Sequence, residues 1–231
     1  MGDGDFMVMS CIKKEGAMFL RQKKFIMLVL VFAFVYGVVG YGISKAAPIP
    51  TEVRQETVFY FMFIYPLALI PMMLQMYPVA KDMGELSNGG IENLLCTGCR
   101  LSDIILGKAV CLWCSLMFPS AVLIICLMFM SHQWLFGALS LVGTTPFTIA
   151  GISLVYVSQG MKRKYVGNIM KAGYLAILCI LVLTYFPMIC EKITGQVMNI
   201  FVSIILAVVL AVISFGLGLH FYPKVNVEEI I

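Results

Sequence analysis

Gly84–Met130 reads GELSNGGIENLLCTGCRLSDIILGKAVCLWCSLMFPSAVLIICLMFM. Its second part, Ile105–Met130, carries one charged residue, Lys108, and is longer than the ~20 residues that cross ~30 Å of hydrocarbon as a helix. In lipid every backbone N–H and C=O must find its partner within the segment or in a closed barrel. Nothing here alternates with the ten-residue period of a barrel strand, so the run is read as a transmembrane helix. Its first part, Gly84–Lys108, is the one long polar interruption between strongly apolar segments. The reading that follows is an all-α, polytopic helical membrane protein built around a polar island.

Working outward from that stretch, five more apolar runs fall on either side. The six spans are expected at about residues 25–43, 57–79, 105–130, 135–158, 166–186 and 197–222. Pro66, Pro71 and Pro78 lie within or at the end of the second, and a proline removes a backbone donor, so that helix is expected to kink or break. The segment GTTPFTIAGIS of the fourth mixes small residues, hydroxyls and a proline, which lets helices approach closely. The first run follows a basic stretch, as in a signal peptide, but no convincing small-residue cleavage site follows Tyr41 and five more spans come after it. It is read as retained.

Composition agrees with this class. Of 231 residues, 61% are apolar and 12% charged, where a soluble domain carries about 25% charged residues. The net charge of +4 is spread beside apolar segments and forms no separate basic domain, so nucleic acid is not an expected partner. Thirteen of the sixteen Lys and Arg fall in the N-terminal segment, the island, the link before span 5 and the tail. Lys45, Arg54 and Lys192 fall on the other side. That bias puts both termini and the island in the cytoplasm. Residues 1–24 then form a cytoplasmic basic and amphipathic helix, with Met9, Ile12, Phe19 and Leu20 on one face and Lys13, Lys14, Arg21, Lys23 and Lys24 on the other. Residues 25–222 form the transmembrane domain and 223–231 a cytoplasmic tail. The link from Pro187 to Gln196 is expected as an exposed loop on the outer side.

Within the island, Gly89-Gly90 allow a tight turn, and Ile91, Leu94 and Leu95 then share an apolar stripe at helical spacing. Ser102-Asp103 are the expected N-cap of span 3. Two C-x-x-C pairs, Cys96/Cys99 and Cys111/Cys114, have metal-like spacing. Cys111 and Cys114 lie in an apolar helix, where cysteine packs as a small hydrophobe, so no metal site is expected. No acidic residue falls in the middle of a span, which speaks against a proton- or ion-coupled carrier. Polar residues that can line a path are Gln75, Thr144, Thr145, Thr148, Tyr156 and Gln159, with Ser153 and Tyr174 beside them. Each is weighed first as a helix–helix hydrogen-bonding residue.

Glu85, Gly90, Glu92, Leu94-Leu95, Thr97 and Arg100, then Ile104-Ile105-Leu106-Gly107-Lys108, resemble the segment between the second and third spans of ABC-2 type permeases. That pattern runs from Gly90 to Lys108 without a gap, with Gly98 where proline is usual and Cys99 where an aliphatic residue is usual. The resemblance implies the membrane subunit of an ATP-binding cassette exporter. It also implies that Glu85, Gly90, Ile91, Glu92, Asn93, Leu94, Leu95, Thr97 and Arg100 form a coupling helix seated in a separate ATPase subunit. The chain contains no G-x-x-x-x-G-K-[ST], so no nucleotide site, enzyme activity or cofactor is expected in it; ATP and Mg would belong to the partner. A six-span half further implies a second permease copy, identical or homologous. The expected cargo is hydrophobic or amphipathic, such as a peptide, drug or lipid-like molecule, and the expected site is a bacterial cell membrane. Two alternatives stand beside this one: a permease similar to the haem-export subunit of cytochrome c maturation, and a non-transporting membrane scaffold or immunity protein.

Overall fold

The computed structural model describes residues 100–160, 169–195 and 200–222 continuously. Further described residues are Met9, Lys13, Met27, Leu30, Val31, Phe34, Val35, Val38, Gly42, Met62, Phe63, Ile64, Pro66, Leu67, Ala68, Ile70, Pro71 and Leu74, all helical. The remainder of the N-terminal helix and of spans 1 and 2, the island up to Cys99, the link 161–168 and the tail lie outside the described residues.

Four helices among the described residues are long and apolar enough to cross a membrane: Leu101–Phe129, Trp134–Gln159, Gly173–Thr194 and Phe201–Phe221. They correspond to the expected spans 3 to 6. The chain is therefore all-helical where it is described, with no strand among those residues.

Helix α1 spans Leu101–Ser131. It starts earlier than expected, and its cap is not Ser102-Asp103. Arg100, with extended backbone, is the N-cap and offers no side-chain bond; its carbonyl accepts the N–H of Asp103 and Ile104 at 3.0 and 3.3 Å. Ser102 and Asp103 lie one and two positions inside the first turn. There Asp103 offsets the positive end of the helix dipole, and the Ser102 hydroxyl turns to its carboxylate. The helix stops at His132, whose left-handed backbone (φ 57) directs its N–H to the Met128 carbonyl. Phe129 meets Trp134 edge-to-face at 5.1 Å across the turn that follows.

The next span is one rod in three parts: α2 (Trp134–Ala138), a π-helical turn π1 (Leu139–Thr144) and α3 (Thr145–Gly160). Pro146 lies two residues beyond the π turn and has no N–H for a carbonyl one turn back. The widened turn absorbs that gap, and the Thr145 N–H reaches the Ser140 carbonyl, five residues behind it.

Helix α4 (Ile169–Thr194) overturns the expected loop at Pro187–Gln196. The helix runs through Pro187 and ends at Gly195, whose φ of +69° is the left-handed form glycine adopts without strain. The Gly195 N–H closes on the Glu191 carbonyl at 2.8 Å, and the Thr194 hydroxyl on the Cys190 carbonyl at 2.8 Å. A proline inside a helix forfeits one backbone bond. Here Ile189 and Ile193 keep the apolar surface going beyond it, and Lys192 suits the negative end of the dipole. Helix α5 (Ile200–Phe221) follows.

Helix α3 is the centre of the bundle. Ile149, Ile152, Leu154, Val155, Tyr156 and Val157 are all buried, on every side of it. Its tightest neighbour is α5, because small residues meet at the crossing. A Cβ on Gly151 would fall on the Ser214 carbonyl, and one on Gly218 would come within 2.9 Å of the Gly151 backbone. Phe147 and Phe215 meet edge-to-face at 5.7 Å beside that crossing. Against α1, the Trp113 indole N–H donates to the Pro146 carbonyl at 3.0 Å. The described residues of span 2 pack into the same core, with Met62, Phe63, Leu67, Ile70 and Leu74 all buried. Outward, α4 and α5 present large exposed apolar side chains such as Ile193 and Phe201. Facing lipid tails, these carry none of the cost they would have in water.

Contacts between elements fix the direction of four of them. Ser140 bonds Met62 and Tyr156 bonds Leu74, so residues 62–74 run parallel to the rod of span 4. Gly151 abuts Ser214 and Leu154 abuts Gly218, so α3 runs parallel to α5. The Tyr222 hydroxyl reaches the Ser102 carbonyl at 3.2 Å, which sets the end of α5 beside the start of α1. Helix α1 therefore runs against the other three.

Candidate functional site

Two sets of residues carry the functional expectations. Of the coupling set, Arg100 alone is described: it is exposed and caps α1 at the end where α5 finishes. Glu85, Gly90, Ile91, Glu92, Asn93, Leu94, Leu95 and Thr97 lie outside the described residues, as does Gln75 of the path set.

The other path residues are brought together on one rod. Thr144, Thr145, Thr148, Tyr156 and Gln159 are all buried, from π1 to the last turn of α3. Thr145, Thr148, Tyr156 and Gln159 recur at helical spacing and form a polar stripe along the most enclosed helix of the bundle. Tyr174 departs from this set. It is 60% exposed on α4, among lipid-facing residues.

Each hydroxyl in the stripe whose partner is identified is turned to protein. Thr148 donates to the Thr144 carbonyl at 2.9 Å, in its own helix. Tyr156 donates to the Leu74 carbonyl at 3.1 Å. Ser140 donates to the Met62 carbonyl at 2.7 Å and lies 3.0 Å from the Thr145 hydroxyl. A hydroxyl has one proton, and that of Ser140 is committed to Met62, so Thr145 is the donor to Ser140. The result is a short relay, Thr145 to Ser140 to a backbone carbonyl of span 2. Such bonds bring helices into register inside a membrane, where backbone and hydroxyl groups have no water to turn to.

Three further buried polar features stand out. Ser140, not singled out from the sequence, looks like any serine of an apolar run; its partner lies 78 residues away. The hydroxyls of Ser153, already named beside the path residues, and of Ser158, which was not, are buried with no hydrogen-bond partner among the described residues. Lys108 sits only 5% exposed on the inner face of α1, in line with Ile104 and Leu112, and it keeps a polar or electrostatic partner there. The sequence placed Lys108 with the exposed island because a lysine near the end of a span ordinarily extends to water.

Among the described residues no group of three His, Cys, Asp or Glu could hold a metal ion. Cys111 is buried and Cys114 exposed on α1, and neither is in a disulfide. Cys96 and Cys99 lie outside the described residues.

No family model, no curated protein and no solved structure matches this chain.

Proposed function

We propose that this chain is the permease subunit of an ABC-2 type exporter, in which a separate ATPase drives a hydrophobic or amphipathic cargo outward. The observation that carries the reading is the unbroken pattern from Gly90 to Lys108. It sets a leucine pair, flanked by Glu92 and Arg100, on the basic side of the bilayer immediately before α1. Leucines at helical spacing outside a span are best explained by a protein cleft that covers them.

The bundle supports the reading without depending on it. Span 2, span 4 and span 6 run in one direction and α1 in the other, as six alternating crossings with both termini in the cytoplasm require. A soluble partner could then receive the island from below, and a second permease copy would complete the pathway. In this proposal Thr144, Thr145, Thr148, Tyr156 and Gln159 tune the packing between spans 2 and 4, and the cargo passes along surfaces that open when that packing changes.

The decisive experiment is purification of the full chain from cells that also express its neighbouring genes. A soluble ATPase should co-purify, and the chain alone should show no ATP hydrolysis above background. If the chain purifies without an ATPase and transports nothing when reconstituted, the non-transporting scaffold takes this reading's place.

A further inference from the structure

Six hydroxyls of this bundle donate to the carbonyl four residues back in their own helix. They are Ser115, Ser120, Ser131, Thr148, Thr184 and Thr194, at 2.6–2.9 Å. This is the local habit of serine and threonine in a helix. Among the described residues three hydroxyls instead reach the carbonyl of another helix: Tyr222 joins the helix ends at Ser102, while within the core Ser140 reaches the Met62 carbonyl at 2.7 Å and Tyr156 the Leu74 carbonyl at 3.1 Å, across 78 and 82 residues.

The two acceptors share a property written in the sequence. Four residues after Met62 stands Pro66, and four after Leu74 stands Pro78. A helical carbonyl accepts from the N–H four residues ahead, and proline has none. Met62 and Pro66 are both helical, so the Met62 carbonyl lacks its helical donor, and residue 78 has no N–H to offer the Leu74 carbonyl, in a setting where no water replaces either. We propose that Ser140 and Tyr156 stand in for the N–H groups that Pro66 and Pro78 lack, and that they key span 2 onto span 4.

The pairing follows from two hydrogen bonds and two prolines, and stands whether or not the chain is a permease.

Double-mutant cycles test the pairing, read as thermal unfolding midpoints of the full chain in detergent. Ser140→Ala should lower the midpoint by about 2–4 °C, the scale of one orphaned carbonyl in a chain of this size. In a Pro66→Ala background the same substitution should cost less than half as much, because an alanine at that position supplies the N–H. Tyr156→Phe with Pro78→Ala should behave alike, while the crossed pairs, Ser140 with Pro78 and Tyr156 with Pro66, should be additive. Additive matched pairs, or crossed pairs coupled as strongly as matched ones, would overturn the pairing. If Ser140→Ala does not accumulate, the double variant Pro66→Ala with Ser140→Ala should; failure of both also overturns it. The measurement needs no ATPase, so failure here and failure of the proposed function are separable.

Discussion

At Gly151 the absence of a side chain lets two helix backbones touch. The Ser214 carbonyl occupies the place a Cβ would take, and a Cβ on Gly218 of the facing helix would come within 2.9 Å of the Gly151 backbone. The obstacle is backbone rather than a flexible side chain, so the helices themselves would have to separate. Gly151→Ala should therefore destabilise the bundle by about 1–3 kcal/mol, the range of overpacked cores, and Gly218→Ala should act in the same direction. Gly216 on α5 and Gly143 in π1 have nothing within 4 Å of such a Cβ. Gly216→Ala should then be neutral or stabilising by up to ~1 kcal/mol through helix propensity. Unfolding midpoints of the variants in one detergent check the contrast. A Gly151→Ala variant as stable as Gly216→Ala would mean the crossing is looser than described. Ser214 adds a third helix at the same level, since its hydroxyl lies 3.5 Å from the Cys179 thiol of α4. The composition of GTTPFTIAGIS announced a close approach, but not its partner, because the facing residues lie more than 60 positions along the chain.

At the scale of elements, run length and hydropathy located the four described spans, since crossing a bilayer sets a minimum length that sequence cannot hide. What they misjudged was proline. Pro187 suggested the end of span 5, yet α4 continues to Thr194 and is closed by Gly195. A lone proline removes one bond and leaves the rest of the ladder, so the surrounding apolar residues decide whether the helix goes on. The N-cap of α1 was misplaced for a similar reason: Ser102 and Asp103 are good capping residues, but the helix enters two residues earlier. The roles of Ser140 and Tyr156 were illegible, because the carbonyls they serve are identified by prolines on another element. Hydrogen exchange separates the two accounts of Pro187–Thr194. With the helix in place, amides after the proline up to Thr194 exchange slowly in detergent. Uniformly fast exchange across the segment would restore the loop. Gly195→Ala should in addition fray this end, at a cost of about 1–2 kcal/mol for a left-handed backbone carrying a side chain.

For the whole molecule, charge and direction point to one arrangement in the bilayer. The thirteen-to-three distribution of Lys and Arg is the ground on which the island is proposed to lie inside. Impermeant thiol reagents on single-cysteine variants in a background without native cysteines should then label Ser44 and His132 in intact cells, and Asn88 and Lys162 only after lysis. Labelling of Asn88 or Lys162 in intact cells, with none at Ser44, would reverse the orientation. In the proposed arrangement Leu94 and Leu95 would face the cytosol, at helical spacing in the sequence from Ile91, where two leucines gain nothing from water. Burying the pair in a partner's cleft contributes roughly 3–6 kcal/mol at about 1.5–3 kcal/mol each, less the cost of association. Leu94→Asp with Leu95→Asp should weaken ATPase binding by orders of magnitude while the chain still inserts, because these residues lie outside every span. Glu92→Lys should have a milder effect, since a charge at the rim mainly tunes encounter and orientation. Co-purification of the ATPase at matched permease levels, together with cargo-dependent ATP turnover, reads both variants. Normal binding and normal transport by the double aspartate variant would make the island an ordinary loop and leave the pattern from Gly90 to Lys108 without the role proposed for it.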